Sequence, residues 1–258
     1  MYLVNTYSLV ELSKRLHTII TRTGVVLPLR FIKHLRNIRI PLPTFFTHTS
    51  HGTILRRLYY LVYGNVPELD LSLIVFPLLM YEIFGKAHVP DLPSGTYITT
   101  DPHTYIYLRD CAGLHVEHGL ERLLDHAQKV LEKVSVPQWR IVVFHPCQVR
   151  NDTVLSRIMT KVENLVDKVF QECVREFFTE NSAICCGSVL WLTYPHLYLK
   201  VATRCLERLC RHGDVILTYC PFCYVNLRHI VDTVGIDWLR IVDIHEVLYW
   251  LLGVARDK

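Results

Sequence analysis

Asp214-Val215-Ile216-Leu217-Thr218-Tyr219-Cys220-Pro221-Phe222-Cys223-Tyr224-Val225-Asn226-Leu227 reads as a strand that runs through a cysteine-bearing turn into a helix. In open α/β sheets ligands collect beyond the carboxyl ends of the strands, and Cys220 and Cys223 fall there. Backbone N–H groups at the start of the next helix stabilise the negative charge of thiolates and sulfides. A second β-branched run, Arg140 to Phe144, is a buried strand, and Cys147 follows it. Between them stands Cys185-Cys186-Gly187. One edge of a parallel sheet is therefore expected to gather Cys147, Cys185, Cys186, Cys220 and Cys223.

Five cysteines exceed the four ligands of an ordinary zinc site. Iron–sulfur clusters accept thiolates readily. Adjacent Cys185 and Cys186 do not easily ligate one iron in the same way. They suit a cluster whose neighbouring irons take neighbouring thiolates, or in which one thiolate bridges. Zinc held by a subset of the five remains the alternative.

The order Cys, thirty-odd residues, Cys-Cys-Gly, thirty-odd residues, Cys-x-x-Cys resembles the cysteine-rich CCG domain. That domain occurs in the cysteine-rich subunit of heterodisulfide reductase and in its relatives. The resemblance runs from Phe144 to about Leu252 and includes Pro146, Tyr224-Val225-Asn226-Leu227 and His245-Glu246. It implies an iron–sulfur oxidoreductase subunit holding a [4Fe-4S] cluster, of the unusual non-cubane kind, through the five cysteines. It also implies partner subunits carrying iron–sulfur or flavin groups, and disulfide or persulfide reduction or electron relay as the activity. A small thiol or disulfide is the implied substrate. The chain departs from the family in two places. The usual His-Asp-Pro-Cys-His reads Phe144-His145-Pro146-Cys147-Gln148, and the glycine-rich tract after Cys-Cys-Gly reads Ser188-Val189-Leu190-Trp191. Both bear on the substrate rather than on cluster binding. His145 and His245 are the candidates for a proton or hydrogen-bond donor near the cluster.

Half of the 258 residues are hydrophobic, so a substantial core is available. The nine cysteines are odd in number, and no signal-peptide pattern opens the sequence, which points to a reducing, cytoplasmic compartment. Cys111, Cys173, Cys205 and Cys210 read as core cysteines. No apolar run reaches the roughly 18 residues of a membrane-spanning helix; Leu71 to Phe84 is interrupted by Ser72, Pro77 and Glu82. The net charge of +4 is weak evidence for nucleic-acid binding, which is not expected.

The expected fold class is α/β: a tandem duplication of a small parallel-sheet, Rossmann-like CCG domain behind a helical N-terminal segment. Residues 1–36 form the basic helical segment, 37–135 a copy without cysteine ligands, and 136–258 the complete CCG domain. Within these, 38–46, 96–100, 140–144, 214–219 and 237–243 read as strands, and 71–79 as a buried strand or helix. Thr53–Tyr63 and Leu120–Lys133 read as helices, followed by one from Asp152 to about Phe178 and others from Pro195 and His245. The duplication rests on an ungapped match of Thr100-Asp101-Pro102-His103-Thr104-Tyr105-Ile106-Tyr107-Leu108-Arg109 to Tyr219 through Arg228. Asp101 and Thr104 stand where the second copy has Cys220 and Cys223. Phe46 to Leu55 loosely matches Phe144 to Leu155, with Thr49 near the place of Cys147. Asp101, His103 and His118 are the residues of copy one that offer oxygen or nitrogen ligands to another metal.

Overall fold

The structure is a computed structural model that describes residues 2–4, 50–65, 92–131, 138–171, 173–178, 185–190 and 194–253. In chain order the described elements are β1 (Tyr2–Val4), α1 (Ser50–Tyr63), β2 (Thr96–Thr99) and α2 (Pro102–Ile106), which passes into a π-helical turn, Tyr107–Cys111. Then come β3 (His115–His118), α3 (Gly119–Val130), β4 (Arg140–Phe144), α4 (Cys147–Asn151), α5 (Ser156–Val169) and β5 (Val174–Phe178). The chain continues through α6 (Pro195–Leu209), β6 (Val215–Thr218), α7 (Pro221–Val234), β7 (Arg240–Asp243) and α8 (Ile244–Leu251).

These strands form two all-parallel sheets, one ordered β1-β2-β3 and the other β5-β4-β6-β7. The mixed α/β reading holds. In β4, Ile141 and Val143 join one apolar cluster while Val142 and Phe144 join another, so both faces of the second sheet are covered. That is why its strands read as unbroken apolar runs. The first cluster also takes in Leu55, Leu58, Tyr59 and Ile98, so one continuous core joins the two sheets. On the first-sheet side Gly119 lets α3, β2 and α1 pack closely: a Cβ there would lie 2.0 Å from Tyr59 Cε1 and 2.7 Å from Ile98 Cγ2.

Three sequence expectations are corrected. Residues 2–4, expected within a helical segment, form β1, registered Tyr2↔Tyr97 through Val4↔Thr99; the rest of that segment, with its basic residues, lies outside the described residues. So do the expected strand at 38–46, Thr49, and the element at 71–79. The helix expected from Asp152 to Phe178 starts four residues later and ends at Val169. Asp152 instead ties the preceding turn, its Oδ1 accepting from the N–H groups of Val154 and Leu155 at 2.9 Å each. Beyond Phe170 the chain turns and becomes β5, pairing with β4 from Arg140↔Val174 to Phe144↔Phe178. Val166, Val169, Phe170, Cys173 and Phe177 keep a helical spacing, which disguises the edge strand in sequence.

His118 ends β3 with 4 % exposure, and neither ring nitrogen has a hydrogen-bond partner among the described residues. Burial, with the nearby His245, pushes its pKa down to about 3. The unfolded residue takes up a proton near pH ~6.5. Between those values the unfolded state binds more protons, so stability falls with acidification. By pH ~5 this group alone costs about 2 kcal/mol. Urea denaturation at pH ~7 and ~5 should therefore reveal a smaller acid loss in His118→Leu than in the parent. Equal losses in both would mean that His118 is not held neutral.

Candidate functional site

The carboxyl edge of the second sheet gathers the motif cysteines. β4 ends at Phe144, and after His145-Pro146 the chain enters α4 with Cys147 as its first residue. β6 ends at Thr218, and Cys220 is the N-cap of α7, with Pro221 at its first position and Cys223 within its first turn. Cys185, Cys186 and Gly187 lie in the loop before α6. Gly187 has φ +84°, a left-handed conformation that favours glycine. A Cβ at that position would meet Val201 Cγ1 at 3.3 Å. The turn directs the Gly187 N–H onto Cys185 Sγ at 3.3 Å.

The five thiols form a row. Cys147 acts electrostatically on Cys185, Cys185 on Cys186, Cys186 on Cys223, and Cys223 on Cys220. Cys220, Cys186 and Cys223 are buried, whereas Cys185 is exposed and Cys147 half-buried. Hydrogen bonds from Cys147, then Cys186 and the Gly187 N–H, hold the Cys185 thiol well below its ordinary range. The reciprocal bond, with burial, pushes Cys147 up. Burial also pushes Cys220 upward, but hydrogen bonds from Cys223 and His103 bring it down to about 6. The hydrogen bond with Cys185 raises Cys186, and those with Cys186 and Cys220 raise Cys223. Two sulfurs of the row thus favour thiolate, the form that binds metal. Among the described residues no three His, Cys, Asp or Glu side chains converge as ligands of a single metal ion.

His145 is fully buried behind this row. Its Nδ1 lies 2.8 Å from Tyr219 Oη and its Nε2 3.0 Å from Glu163 Oε1. Burial, then the Arg150 charge, lowers its pKa to about 4, so the ring is neutral at pH ~7. A carboxylate only accepts, so Nε2–H donates to Glu163 and Nδ1 accepts from Tyr219. His245 is also fully buried, with Nδ1 at 2.7 Å from Asp243 Oδ1 and Nε2 at 3.4 Å from Tyr59 Oη. Both histidines thus have each ring nitrogen engaged by a residue other than the five cysteines.

The copy-one residues divide. Asp101 caps α2, accepting from the Thr104 N–H at 3.0 Å. His118 lines a separate cavity of about 310 Å³ with Tyr105, Glu121 and Arg122. His103 and Asp101 both act electrostatically on a motif cysteine, Cys220, and His103 is the one whose ring packs on Phe222 beside it. Cys173 and Cys205 are buried, as core cysteines should be, while Cys111 and Cys210 are half-buried. Sequence reasoning gave no role to Asn226, yet it clamps the cysteine loop: its Nδ2 donates to the Cys186 carbonyl at 2.6 Å. The traces of Asn226 in sequence are its place in the Tyr224-Val225-Asn226-Leu227 run and its position one helical turn after Cys223.

The family model of the cysteine-rich domain (CCG) matches residues 141–228, a segment holding all five cysteines. This family includes iron–sulfur proteins and occurs in oxidoreductase-related proteins. A search of the curated proteins returned no match. Among the described residues no helix is long and apolar enough to cross a membrane.

Removing the Asn226 amide leaves the buried Cys186 carbonyl without its donor, a loss of about 1–3 kcal/mol. Asn226→Ala is therefore expected to lower the midpoint of chemical denaturation in the metal-free protein. An unchanged midpoint would show that the clamp adds nothing to the fold.

Proposed function

We propose that this chain is an iron–sulfur oxidoreductase subunit similar to the cysteine-rich subunit of heterodisulfide reductase. In this reading Cys147, Cys185, Cys186, Cys220 and Cys223 hold one [4Fe-4S] cluster, and the chain works in the cytoplasm within a complex. The observation that carries it is the contiguous row of five thiols, in which Cys185 is exposed. The family match over 141–228 supports it. When bound, the cluster supplies one-electron transfer.

The protein's own residues do the rest. The Gly187 N–H and the amide end of α7 offset the charge of the sulfurs. Asn226 fixes the Cys-Cys-Gly loop. The aliphatic core around Val142, Ile216, Ala202 and Leu227 keeps water from Cys186, Cys220 and Cys223. Reduction of a disulfide or persulfide consumes two electrons and two protons per sulfur–sulfur bond, giving two thiols or a thiol and hydrogen sulfide. A flavin or iron–sulfur partner subunit is the proposed electron source. Electron relay without a substrate of its own uses the same site.

The tandem duplication belongs to this proposal, with its first copy lacking the cluster. Its support is the shared order of β1-β2-β3 and β4-β6-β7, with β2 and β6 each leading through a proline-bearing turn into a helix. The strand standing for β4 is then β1 rather than residues 38–46. Residues aligned between the copies also face one another: the His103 ring lies 4.8 Å from that of Phe222.

The decisive measurement is iron, acid-labile sulfide and zinc content of anaerobically purified protein, with an electron paramagnetic resonance spectrum. About four irons and four sulfides per chain are expected for a [4Fe-4S] cluster, with both lost in Cys220→Ser and Cys185→Ser. About one zinc without sulfide would overturn the reading in favour of a structural, zinc-binding subunit.

A further inference from the structure

We propose that His103, from the first sheet, is a sixth member of the cysteine site, where its imidazole N–H donates to the Cys220 sulfur and tunes the group bound there. This inference rests on the reading of the five cysteines as a cluster site. His103 is the second residue of α2, which begins just beyond the carboxyl end of β2 and packs against α4, the helix opened by Cys147. The histidine is 4 % exposed. Its ring lies against Phe222, the residue between Pro221 and Cys223, with 4.8 Å between centroids and 49° between planes. It acts electrostatically on Cys220, the N-cap of α7, two residues before Phe222. The first sheet, which supplies none of the five cysteines, thus reaches the thiol row at its buried end.

The elements around His103 hold it in place. Arg109, in the π-helical turn continuing α2, pairs with Asp152 just after α4: Nη2 lies 2.6 Å from Oδ2 and Nη1 3.3 Å from Oδ1. The same guanidinium packs over the Tyr105 ring, 5.0 Å from its centroid. A two-pronged arginine–carboxylate pair fixes direction as well as distance. The turn bearing His103 is therefore fastened to the loops bearing Cys147 and Cys220. Hydrogen bonds to cluster sulfurs withdraw charge from them and favour the reduced state.

The test uses the full-length chain with isotope-labelled histidine, alongside His103→Ala and His103→Gln, each reconstituted anaerobically with iron and sulfide. Wild-type protein should carry a histidine-nitrogen modulation in pulsed paramagnetic resonance that disappears in His103→Ala. The midpoint potential should fall in His103→Ala and recover in His103→Gln, whose amide can donate. A purely structural His103 would leave modulation and potential unchanged in correctly folded His103→Ala, overturning the proposal. Should wild type take up neither iron nor sulfide, the site reading itself fails. The contact is then judged on the metal-free chain by amide exchange over residues 100–106. Faster exchange in His103→Ala than in wild type and His103→Gln supports it, and equal exchange in all three overturns it.

Discussion

Everything in the thiol row depends on the parallel pairing of β4 with β6. The register Ile141↔Val215, Val142↔Ile216, Val143↔Leu217 brings the two strand ends out on the same side, one strand spacing of about 5 Å apart. Cys147 and Cys220 come from those ends, so sequence positions more than seventy apart become neighbours without a loop spanning the gap. A slip of one residue would turn Val142 and Phe144 toward the opposite face and exchange the two apolar clusters. Core packing therefore fixes the register, and the register gathers the cysteines. The Cys185-Cys186-Gly187 loop is held less by the sheet than by local devices: the left-handed glycine and the Asn226 clamp.

The join between the sheets is the second constraint. It is apolar at depth, where α1, the helix of Leu55, Leu58 and Tyr59, packs against α8, and ionic nearer the surface, where Arg109 meets Asp152. The ionic tie contributes orientation more than energy, since Arg109 is about a quarter exposed and such pairs are partly screened. The apolar part contributes most of the stability, and it makes the first sheet a fixed wall of the cysteine site. On this view the half that supplies none of the five motif cysteines contributes packing and one nitrogen at the sulfur row.

The parts of this arrangement legible in sequence were those encoded locally. Arg140–Phe144 and Val215–Thr218 announced themselves because both faces of their sheet are covered, and the cysteine spacing located the site. β5 was hidden because its apolar residues extend a helical spacing past the turn at Phe170 and because, as an edge strand, it exposes Val174. β1 was hidden for a different reason: its partner Tyr97 lies more than ninety residues away, and three residues carry too little pattern to name a partner. The approach of His103 to Cys220 is equally non-local. The ten-residue match around Asp101 and Cys220 related the two turns, yet nothing in it says that they face one another.

The exposure gradient along the row separates two tasks. Cys220 and Cys223, at the start of α7 and clustered with Leu227, are shielded from water, so hydrogen bonds and fixed charges act on them with little screening. Cys185, at the opposite side, is exposed, and Cys147 beside it is half-buried. The lip beside it is built from Ser188, Val189 and Leu190, where the resembled family commonly has glycine-rich chain. Side chains at this lip narrow the approach of a bulky disulfide more than that of a persulfide or of a partner's redox centre, which need not touch sulfur to pass an electron. On the proposed reading, the buried end sets the driving force and the lip at the exposed end selects what can use it.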